Sequence, residues 1–309
     1  MKIMVAGGGA FGKEHLGALR SIGGLTLAVA ETWQDERKKL VGMFALTDHD
    51  EDAFALLDRF SPDGVVVATP ADAHAPLAIA ALGRGVPVLV EKPVAADTGT
   101  MRRLCDADAA SKAFLQPGHI LRFSSGHRLL HDIIRQGEIG SMLQFSSSRF
   151  RDETHASRYR DIDPVLMTMI HDIDLALWFD GTAALSAVAS RLPAGTSRSL
   201  TTATVASTGG VTWRLSTAWL HPGPDCPPDR IEIFGAEGSA TFEAGRGIEV
   251  YGKKARHIDV GETEDPLREE LDCFIAGIRA GASQAPVTPG DALSGLLAAE
   301  MILASLSKQ

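Results

Sequence analysis

A glycine-rich turn directly after the first apolar segment constrains the fold of this chain more than any other feature. Residues Lys2 to Ala6 are typical of a short buried strand, and they lead into Gly7-Gly8-Gly9-Ala10-Phe11-Gly12, which satisfies G-x-G-x-x-G. A helical pattern begins in this turn and continues to about Ile22. Such glycines permit a tight turn, and the helix N-terminus presents unpaired N–H groups to a pyrophosphate. The pattern predicts a dinucleotide-binding unit.

An acidic residue stands where the second strand of such a unit ends. Residues Leu25 to Ala30 indicate that strand, and Glu31 follows it. A carboxylate here accepts hydrogen bonds from the adenosine ribose hydroxyls and repels a 2′-phosphate, so NAD is expected to be preferred over NADP. The alternative is that Glu31 is only a solvent-facing strand terminus.

Strand-like and helix-like segments alternate over the first 120 residues. The strand-like runs are continuously apolar, as in a sheet that is buried on both faces. Further strands are predicted at 64–68, 86–90 and 114–117, with helices at 33–43, 51–59, 73–83 and 97–112. Residues 1–120 are therefore expected to form a Rossmann domain with a doubly wound parallel sheet.

The pattern changes after about residue 120. Helices are predicted near 124–136 and 164–179, on either side of a strand near 142–150. Strand-like runs then follow at 184–191, 200–207, 210–220, 229–235, 238–243 and 247–251, and helices at 267–280 and 290–307. Short turns such as Pro193-Ala194-Gly195 are typical of a mainly antiparallel sheet. Residues 121–309 are expected to form an α+β domain with an open sheet, whose last helices can pack back on the Rossmann domain.

Composition argues against several classes of function. The net charge is −9 and acidic residues interrupt the densest basic stretch, 149–160, so no nucleic-acid partner is expected. Because no uncharged apolar run is long enough to span a bilayer and no signal peptide is indicated, a cytoplasmic protein without membrane association is expected. The three cysteines are widely spaced and suit a reducing compartment. His155, His221 and Cys226 show no metal-ligand spacing, and no metal site is predicted.

Two further polar motifs stand at the carboxyl ends of predicted strands, where ligands bind in open α/β sheets. Ala68-Thr69-Pro70 follows one strand and Glu91-Lys92-Pro93 follows the next. A lysine between a buried strand and a proline has a more fixed position than a surface lysine. Lys92 is therefore a candidate functional group, the alternative being a solvated loop charge.

These motifs resemble those of the glucose–fructose oxidoreductase/inositol dehydrogenase/MocA family, in the same order along nearly the whole chain. The matching pieces are Gly7–Gly12 with His15, Ala68-Thr69-Pro70 with His74, Glu91-Lys92-Pro93, Gly118-His119-Ile120 with Arg122-Phe123, His171-Asp172-Ile173-Asp174 and Phe234-Gly235-Ala236-Glu237-Gly238. The Glu-Lys-Pro element is the most specific of them. The histidine-containing pieces look similar to those of the nucleotide-sugar 3-dehydrogenase branch.

The resemblance implies reversible oxidation of a secondary alcohol on a sugar, polyol or nucleotide sugar, by a homodimer or homotetramer that uses its open sheet as an interface. In this family Lys92 matches the catalytic lysine and His171 the active-site histidine. With the glycine turn and Glu31, the expected cofactor-binding residues are Gly7, Gly9, Ala10, Phe11, Gly12, Glu31, Thr69, Pro70, His74, Glu91 and Lys92.

Three residues are candidates for contact with substrate: His119, Arg122 and Asp172. The alternative for His119 and Arg122 is a structural salt bridge. For Asp172 it is a polar position on an amphipathic helix. His171 has its own alternative, a core histidine bonded to Asp174 or to backbone, and His15 is expected to be structural.

One position departs from the family's pattern. Family dehydrogenases usually carry an aspartate four residues before the histidine, and this chain has Met167 there. Because methionine cannot relay a proton, we expect Lys92 and His171 to share the acid–base work. A buried lysine beside a positively charged nicotinamide has a pKa below its ordinary value of about 10.4, and that of imidazole is ordinarily about 6.5. Two alternatives stay open: a redox-neutral, hydride-shuttling enzyme of epimerase or glycosidase type, and a non-catalytic NAD-binding regulator.

Overall fold

The computed structural model describes residues 1–159, 161–193, 198–261 and 265–308. Arg160 and the Ala194-Gly195 part of the predicted turn lie outside these described residues. The chain divides into two compact units. The first comprises Met1–Ile120 and Asp265–Leu293, and the second comprises Leu121–Glu264 and Ser294–Gln309.

Strands and helices are numbered separately in chain order. Strands β1 to β14 are Lys2–Ala6, Thr26–Ala30, Asp48–Asp50, Gly64–Val67, Val88–Val90, Leu115–Pro117, Met142–Asp152, Ala184–Leu192, Leu200–Ser207, Thr212–His221, Arg230–Gly235, Gly238–Glu243, Gly247–Tyr251 and Ala255–Ile258. Helices α1 to α10 are Ala10–Ile22, Gln34–Phe44, Ala53–Phe60, His74–Gly83, Thr98–Ala110, Ser125–Arg135, Glu153–Arg158, Ile170–Asp180, Pro266–Ala280 and Pro289–Leu306.

The first unit is built on a six-stranded sheet in the order β3-β2-β1-β4-β5-β6. Every neighbouring pair is parallel. This is the strand order of a doubly wound Rossmann sheet, so the predicted fold is confirmed. Ile3 and Met4 of β1 are both fully buried, and because successive side chains of a strand point to opposite faces, this sheet is covered on both sides. The carboxyl ends of β1, β2, β4 and β5 meet at one edge of the sheet, which holds the predicted motifs.

Helix α9 also belongs to the first unit, although it lies far along the chain. It packs on α1 and buries Leu271 and Phe274 completely. The ring of Phe274 meets Phe114 edge to face at a centroid distance of 5.7 Å. An apolar side chain buried in this way contributes about 1.5–3 kcal/mol to folding, so α9 is an integral part of this core.

The second unit contains an eight-stranded sheet in the order β14-β13-β12-β11-β7-β10-β9-β8. All pairs are antiparallel except β7 with β10, which run parallel at the centre. The mainly antiparallel sheet predicted from the sequence is therefore confirmed, with this parallel pair as an addition. One face of the sheet buries Phe145 and Trp213 together with Ile173 of α8 and Ile302 of α10.

Three short elements were not predicted from the sequence: β3, β14 and α7. Strand β3 is only Asp48–Asp50 and has no apolar run to indicate it. Its carboxylates pair with Arg59, with N–O distances of 3.0 Å to Asp48 and 2.6 Å to Asp50. The helix predicted at 164–179 is also divided, because a π-helical turn occupies Val165–Met169 before α8 begins.

By length and composition, α10 is the one helix in the described part of the chain that is long and apolar enough to cross a membrane. The core helix of a soluble protein satisfies the same criteria. This helix carries Asp291 and Glu300, and its Ala298, Ala299 and Ile302 belong to the core of the second unit. Its apolar character is therefore accounted for by packing within the protein.

Candidate cofactor site and catalytic residues

The glycines of the first turn serve two different purposes. Gly7 has φ +96°, and a Cβ there would lie 2.5 Å from the carbonyl oxygen of Ala68. A Cβ on Gly12 would lie 2.0 Å from the carbonyl oxygen of Gly7. Both glycines are therefore required by the strand–turn–helix geometry.

Gly9 differs, because a Cβ there would meet no described atom within 4 Å. Gly9 is the N-cap of α1, and no side chain caps this helix end. The first N–H groups of α1 are thus unsatisfied by any cap, and the space beside Gly9 is open. That combination suits a bound pyrophosphate, which needs both free donors and close backbone approach.

Glu31 lies over this turn, and two backbone groups fix its carboxylate. The N–H of Gly8 donates to Oε2 at 2.7 Å, and the N–H of Trp33 donates to Oε1 at 2.9 Å. The nearby Arg37 is occupied by the carbonyl oxygen of Glu31 and by Glu51, whose carboxylate is 3.5 Å away. The charge around this carboxylate is therefore negative overall, since Glu31 and Glu51 together outnumber Arg37.

A cavity of about 530 Å³ lies along this edge of the sheet. Its lining includes five predicted cofactor residues: Gly7, Gly9, Glu31, Thr69 and Pro70. Trp33 also lines it with 78% of its surface exposed, and the sequence patterns gave no indication of this role. The sequence signal that could have drawn attention to this position is a tryptophan two residues after the acidic residue, Glu31.

His74 is not among the residues that line the cavity, and its contact with the cofactor stays a prediction. It is 1% exposed, with Nε2 2.7 Å from the carbonyl oxygen of Thr69 and Nδ1 3.1 Å from that of Pro93. Burial lowers the pKa of His74, while the hydrogen bond with Thr69 acts in the opposite direction. A neutral imidazole has one N–H, so the neutral ring donates to one of these two carbonyl oxygens and lies against the other, between Thr69 and Pro93.

Glu91 is likewise buried and not among the residues that line the cavity, so its contact with the cofactor also stays a prediction. His15 Nε2 donates to Glu91 Oε1 at 2.7 Å, and the N–H of Lys92 donates to Oε2 at 3.1 Å. Burial acts to raise the pKa of Glu91, but His15 and Lys92 outweigh it and hold that pKa below its ordinary value. An ionised Glu91 therefore fixes the backbone from which the Lys92 side chain extends.

The charged residues predicted to contact substrate in the second unit are paired in its interior. Arg122 is 8% exposed, and its Nε and Nη2 donate to the two carboxylate oxygens of Asp174 at 2.9 and 2.6 Å. This bidentate pair is the salt-bridge alternative for Arg122. It does not support the substrate role of Arg122.

Asp172 is also buried rather than open to a ligand. Nε and Nη2 of Arg149 donate to it at 3.1 and 3.0 Å, and Arg149 also contacts Asp229. Burial raises the pKa of Asp172, while Arg149 acts in the opposite direction. The structure thus shows Asp172 as a buried ion-pair partner of Arg149, and its predicted substrate role stays a prediction.

Met167 lies in the π-helical turn before α8 and is 9% exposed. It packs in an apolar cluster with Ala156 and Trp219. The indole N–H of Trp219 donates to the hydroxyl of Thr168 at 2.9 Å. Met167, at the position where the family resemblance predicts an aspartate, thus packs against apolar groups, among which an unpaired charge would be costly.

The remaining predicted residues divide between the two units. Lys92 and the buried His119 belong to the first unit, and His171, in the first turn of α8, belongs to the second. Within the described ranges, no cluster of His, Cys, Asp and Glu side chains could hold a metal ion.

Two family models match this chain. One, described as the oxidoreductase family with an NAD-binding Rossmann fold, matches residues 1–119, and the GFO/IDH/MocA C-terminal domain matches residues 127–241. The chain is 28% identical over 182 residues to inositol 2-dehydrogenase of Pseudomonas fluorescens (strain SBW25). That stretch covers 58% of this chain and 54% of the relative, so the chain spans about half the length of the relative it matches.

Solved structures share the whole fold at lower identity. UDP-N-acetylglucosamine 3-dehydrogenase GnnA from Acidithiobacillus ferrooxidans is 23% identical with a TM-score of 0.87, covering 100% of this chain and 98% of that one. Levoglucosan dehydrogenase in complex with NADH and levoglucosan is 20% identical with a TM-score of 0.89, covering 100% and 97%.

Proposed function

We propose that this chain, which belongs to the Gfo/Idh/MocA oxidoreductase family, is an NAD-dependent dehydrogenase that oxidises a secondary alcohol to a ketone. The observation that carries the proposal is the Glu31 carboxylate, held by backbone N–H groups over an uncapped helix N-terminus. In this proposal α1 binds the pyrophosphate through its first N–H groups, and Glu31 binds the ribose hydroxyls. The bound nicotinamide supplies the hydride acceptor.

Proton transfer is assigned to Lys92 and His171. The alcohol must lose its hydroxyl proton as hydride leaves the same carbon, so a base has to reach the hydroxyl oxygen. Lys92 follows β5, and Glu91 holds its backbone N–H at 3.1 Å, which fixes the origin of the side chain. In the proposal one of Lys92 and His171 takes the proton and the other orients the reacting oxygen.

The proposed substrate is a sugar, a polyol or a nucleotide sugar. Relatives named inositol 2-dehydrogenase, UDP-N-acetylglucosamine 3-dehydrogenase and levoglucosan dehydrogenase support this class. We further propose a cytoplasmic homodimer or homotetramer associated through the open sheet. Strand β8 supports this, since Val188 and Leu192 are exposed by 72% and 71%.

The test is the appearance of NADH, measured by its near-ultraviolet absorbance, with NAD⁺ and a panel of polyols, aldoses and nucleotide sugars. We expect net NADH formation with at least one member of the panel. Bound NAD without net NADH release on any member would contradict a dehydrogenase.

Met167 supports a second candidate function. This chain lacks the carboxylate that the family resemblance predicts beside the histidine, and Met167 packs there with Ala156 and Trp219. A cofactor-binding regulator needs no proton transfer, so it tolerates this change better than a dehydrogenase does. A redox-neutral enzyme that returns its hydride to substrate is the other alternative. Substrate conversion without NADH accumulation would identify the redox-neutral enzyme. NAD binding with no conversion would identify the regulator.

Cofactor preference gives a separate prediction. We expect NADPH to bind about 10–100-fold more weakly than NADH, because one hydrogen bond to a charged group, about 1.5–3 kcal/mol, is lost and a repulsion is added. Glu31→Gln should bring the dissociation constants of NADPH and NADH closer together.

Both dissociation constants can be measured by quenching of the fluorescence of the exposed Trp33, and Trp33→Phe should lose most of this signal. The matched control is Glu14→Gln, an exposed glutamate on α1. Equal affinity of the wild type for both cofactors would contradict the assignment of Glu31.

A further inference from the structure

A closed group of polar side chains lies in the first unit beside the Glu91-Lys92 turn. Glu270 of α9 is fully buried, and among the described residues neither of its carboxylate oxygens has a hydrogen-bond partner. Gln116 of β6 is also fully buried. Its Nε2 donates to the backbone oxygen of Glu270 at 3.4 Å, while its Oε1 has no described partner. Glu270 is therefore a carboxyl group placed in the core with none of the partners that an ionised carboxylate requires.

The other titratable groups of this cluster come from two neighbouring elements. His15 of α1 is fully buried, and it bonds Glu91 through Nε2 while its Nδ1 has no described partner. Glu91, at the end of β5, is close enough for its negative charge to act on Glu270, and Lys92 acts on Glu91. The two groups that favour an ionised carboxylate, His15 and Lys92, thus act on Glu91 and not on Glu270.

These surroundings decide which of the two glutamates keeps its proton. Glu91 has a histidine and a backbone N–H as donors, so it carries the negative charge. Burial raises the pKa of Glu270 well above its ordinary value, and the neighbouring charge of Glu91 raises it further.

We infer that Glu270 is a neutral carboxylic acid in the native protein and acts as a positioning residue for the cofactor site. Its neutrality leaves the single negative charge of the cluster on Glu91, which then holds the N–H of Lys92. Ionisation of Glu270 places a second negative charge in the same enclosed space. The two carboxylates then repel each other, the Glu91-Lys92 turn shifts, and cofactor affinity falls. The inference depends on the proposed function only in assuming that the protein binds NADH.

The expected pH dependence has a definite sign. An unfolded glutamate has a pKa of about 4.3, whereas folded Glu270 keeps its proton to a higher pH. The stability associated with Glu270 is therefore fully present below the unfolded pKa. As the pH rises from there to the folded pKa, the folding equilibrium constant falls by about tenfold per pH unit. Glu270→Gln keeps the size and the neutrality of the side chain and should remove this loss.

Infrared spectroscopy tests the protonation state directly. At neutral pH we expect the wild type to show the carbonyl stretch of a protonated carboxylic acid, and Glu270→Gln to lack it. Glu269→Gln alters the adjacent, exposed glutamate of the same helix and is the matched control, which should keep the band. A wild-type spectrum without this band at neutral pH would overturn the inference. This readout needs neither turnover nor bound cofactor, so it stands apart from failure of the proposed function.

NADH binding tests the positioning role. From neutral to alkaline pH the wild type and Glu269→Gln should lose about tenfold in NADH affinity as the infrared band disappears, while Glu270→Gln stays constant. A parallel loss in Glu270→Gln would overturn the role of Glu270. If that variant does not fold, the wild-type titration still decides: affinity that is unchanged while the band disappears contradicts the inference.

Discussion

Replacing Lys92 by alanine is expected to lower kcat by about 10²–10⁴-fold, the usual contribution of a positioned acid–base group. Affinity for NADH should fall much less than kcat, because the glycine turn and Glu31 are untouched. The large effect on kcat is expected because Glu91 fixes the backbone of Lys92. The amino group of Lys92 therefore extends from a defined position at the end of β5. Initial rates of NADH formation and Trp33 quenching measure the two quantities separately.

Lys39→Ala is the control for this change, since Lys39 is an exposed lysine on α2 of the same unit. Lys39→Ala should leave both kcat and the affinity for NADH unchanged. His171→Ala should also reduce kcat if the two residues share proton transfer. Full turnover in both Lys92→Ala and His171→Ala, on a true substrate, would contradict the proposed mechanism.

Replacing Asp172 by alanine is expected to lower the free energy of unfolding by about 3–5 kcal/mol, the usual cost of removing one partner from a buried ion pair. Asp172 is 1% exposed and bonds Arg149 twice, at 3.1 and 3.0 Å. Without it, the buried Arg149 keeps only Asp229 as a described carboxylate partner. Chemical denaturation followed by tryptophan fluorescence measures the change, because Trp213 and Trp219 are fully buried in the second unit.

The matched control is Glu138→Ala, which removes one partner of a surface ion pair in the same unit. Arg256 lies 2.6 Å from Glu138, but the Arg256 side chain is 41% exposed and water can replace the partner. Glu138→Ala should therefore lower the free energy of unfolding only slightly. Equal effects of Asp172→Ala and Glu138→Ala would mean that burial does not determine the strength of the Arg149 pair.

The Rossmann unit was predictable because its physics is local. Apolar runs of a few residues indicate strands that are buried on both faces. The tight turn from β1 into α1 leaves no room for a Cβ at Gly7 or Gly12, so the glycines themselves mark this turn in the sequence. The π-helical turn at Val165–Met169 was not predictable, since it changes helix geometry without a break in the apolar pattern.

The contacts within the candidate site were less accessible from the sequence. His74 and Glu91 could be placed near the cofactor by their motifs, yet their partners, Pro93 and His15, are 19 and 76 residues away along the chain. The same holds for Arg149, whose partner Asp229 is 80 residues distant. Contacts between such distant residues depend on how the whole chain folds. The apolar pattern of a single segment does not reveal them.

The divided first unit has a consequence for how the protein is made. During synthesis the strands of residues 1–120 leave the ribosome early, but α9, with its buried Leu271 and Phe274, follows only after most of the second unit. Until then the nascent chain exposes the apolar surface around Phe114 that α9 later covers. A fragment ending at residue 120 should therefore aggregate, whereas one that carries residues 265–293 on a linker can complete its core.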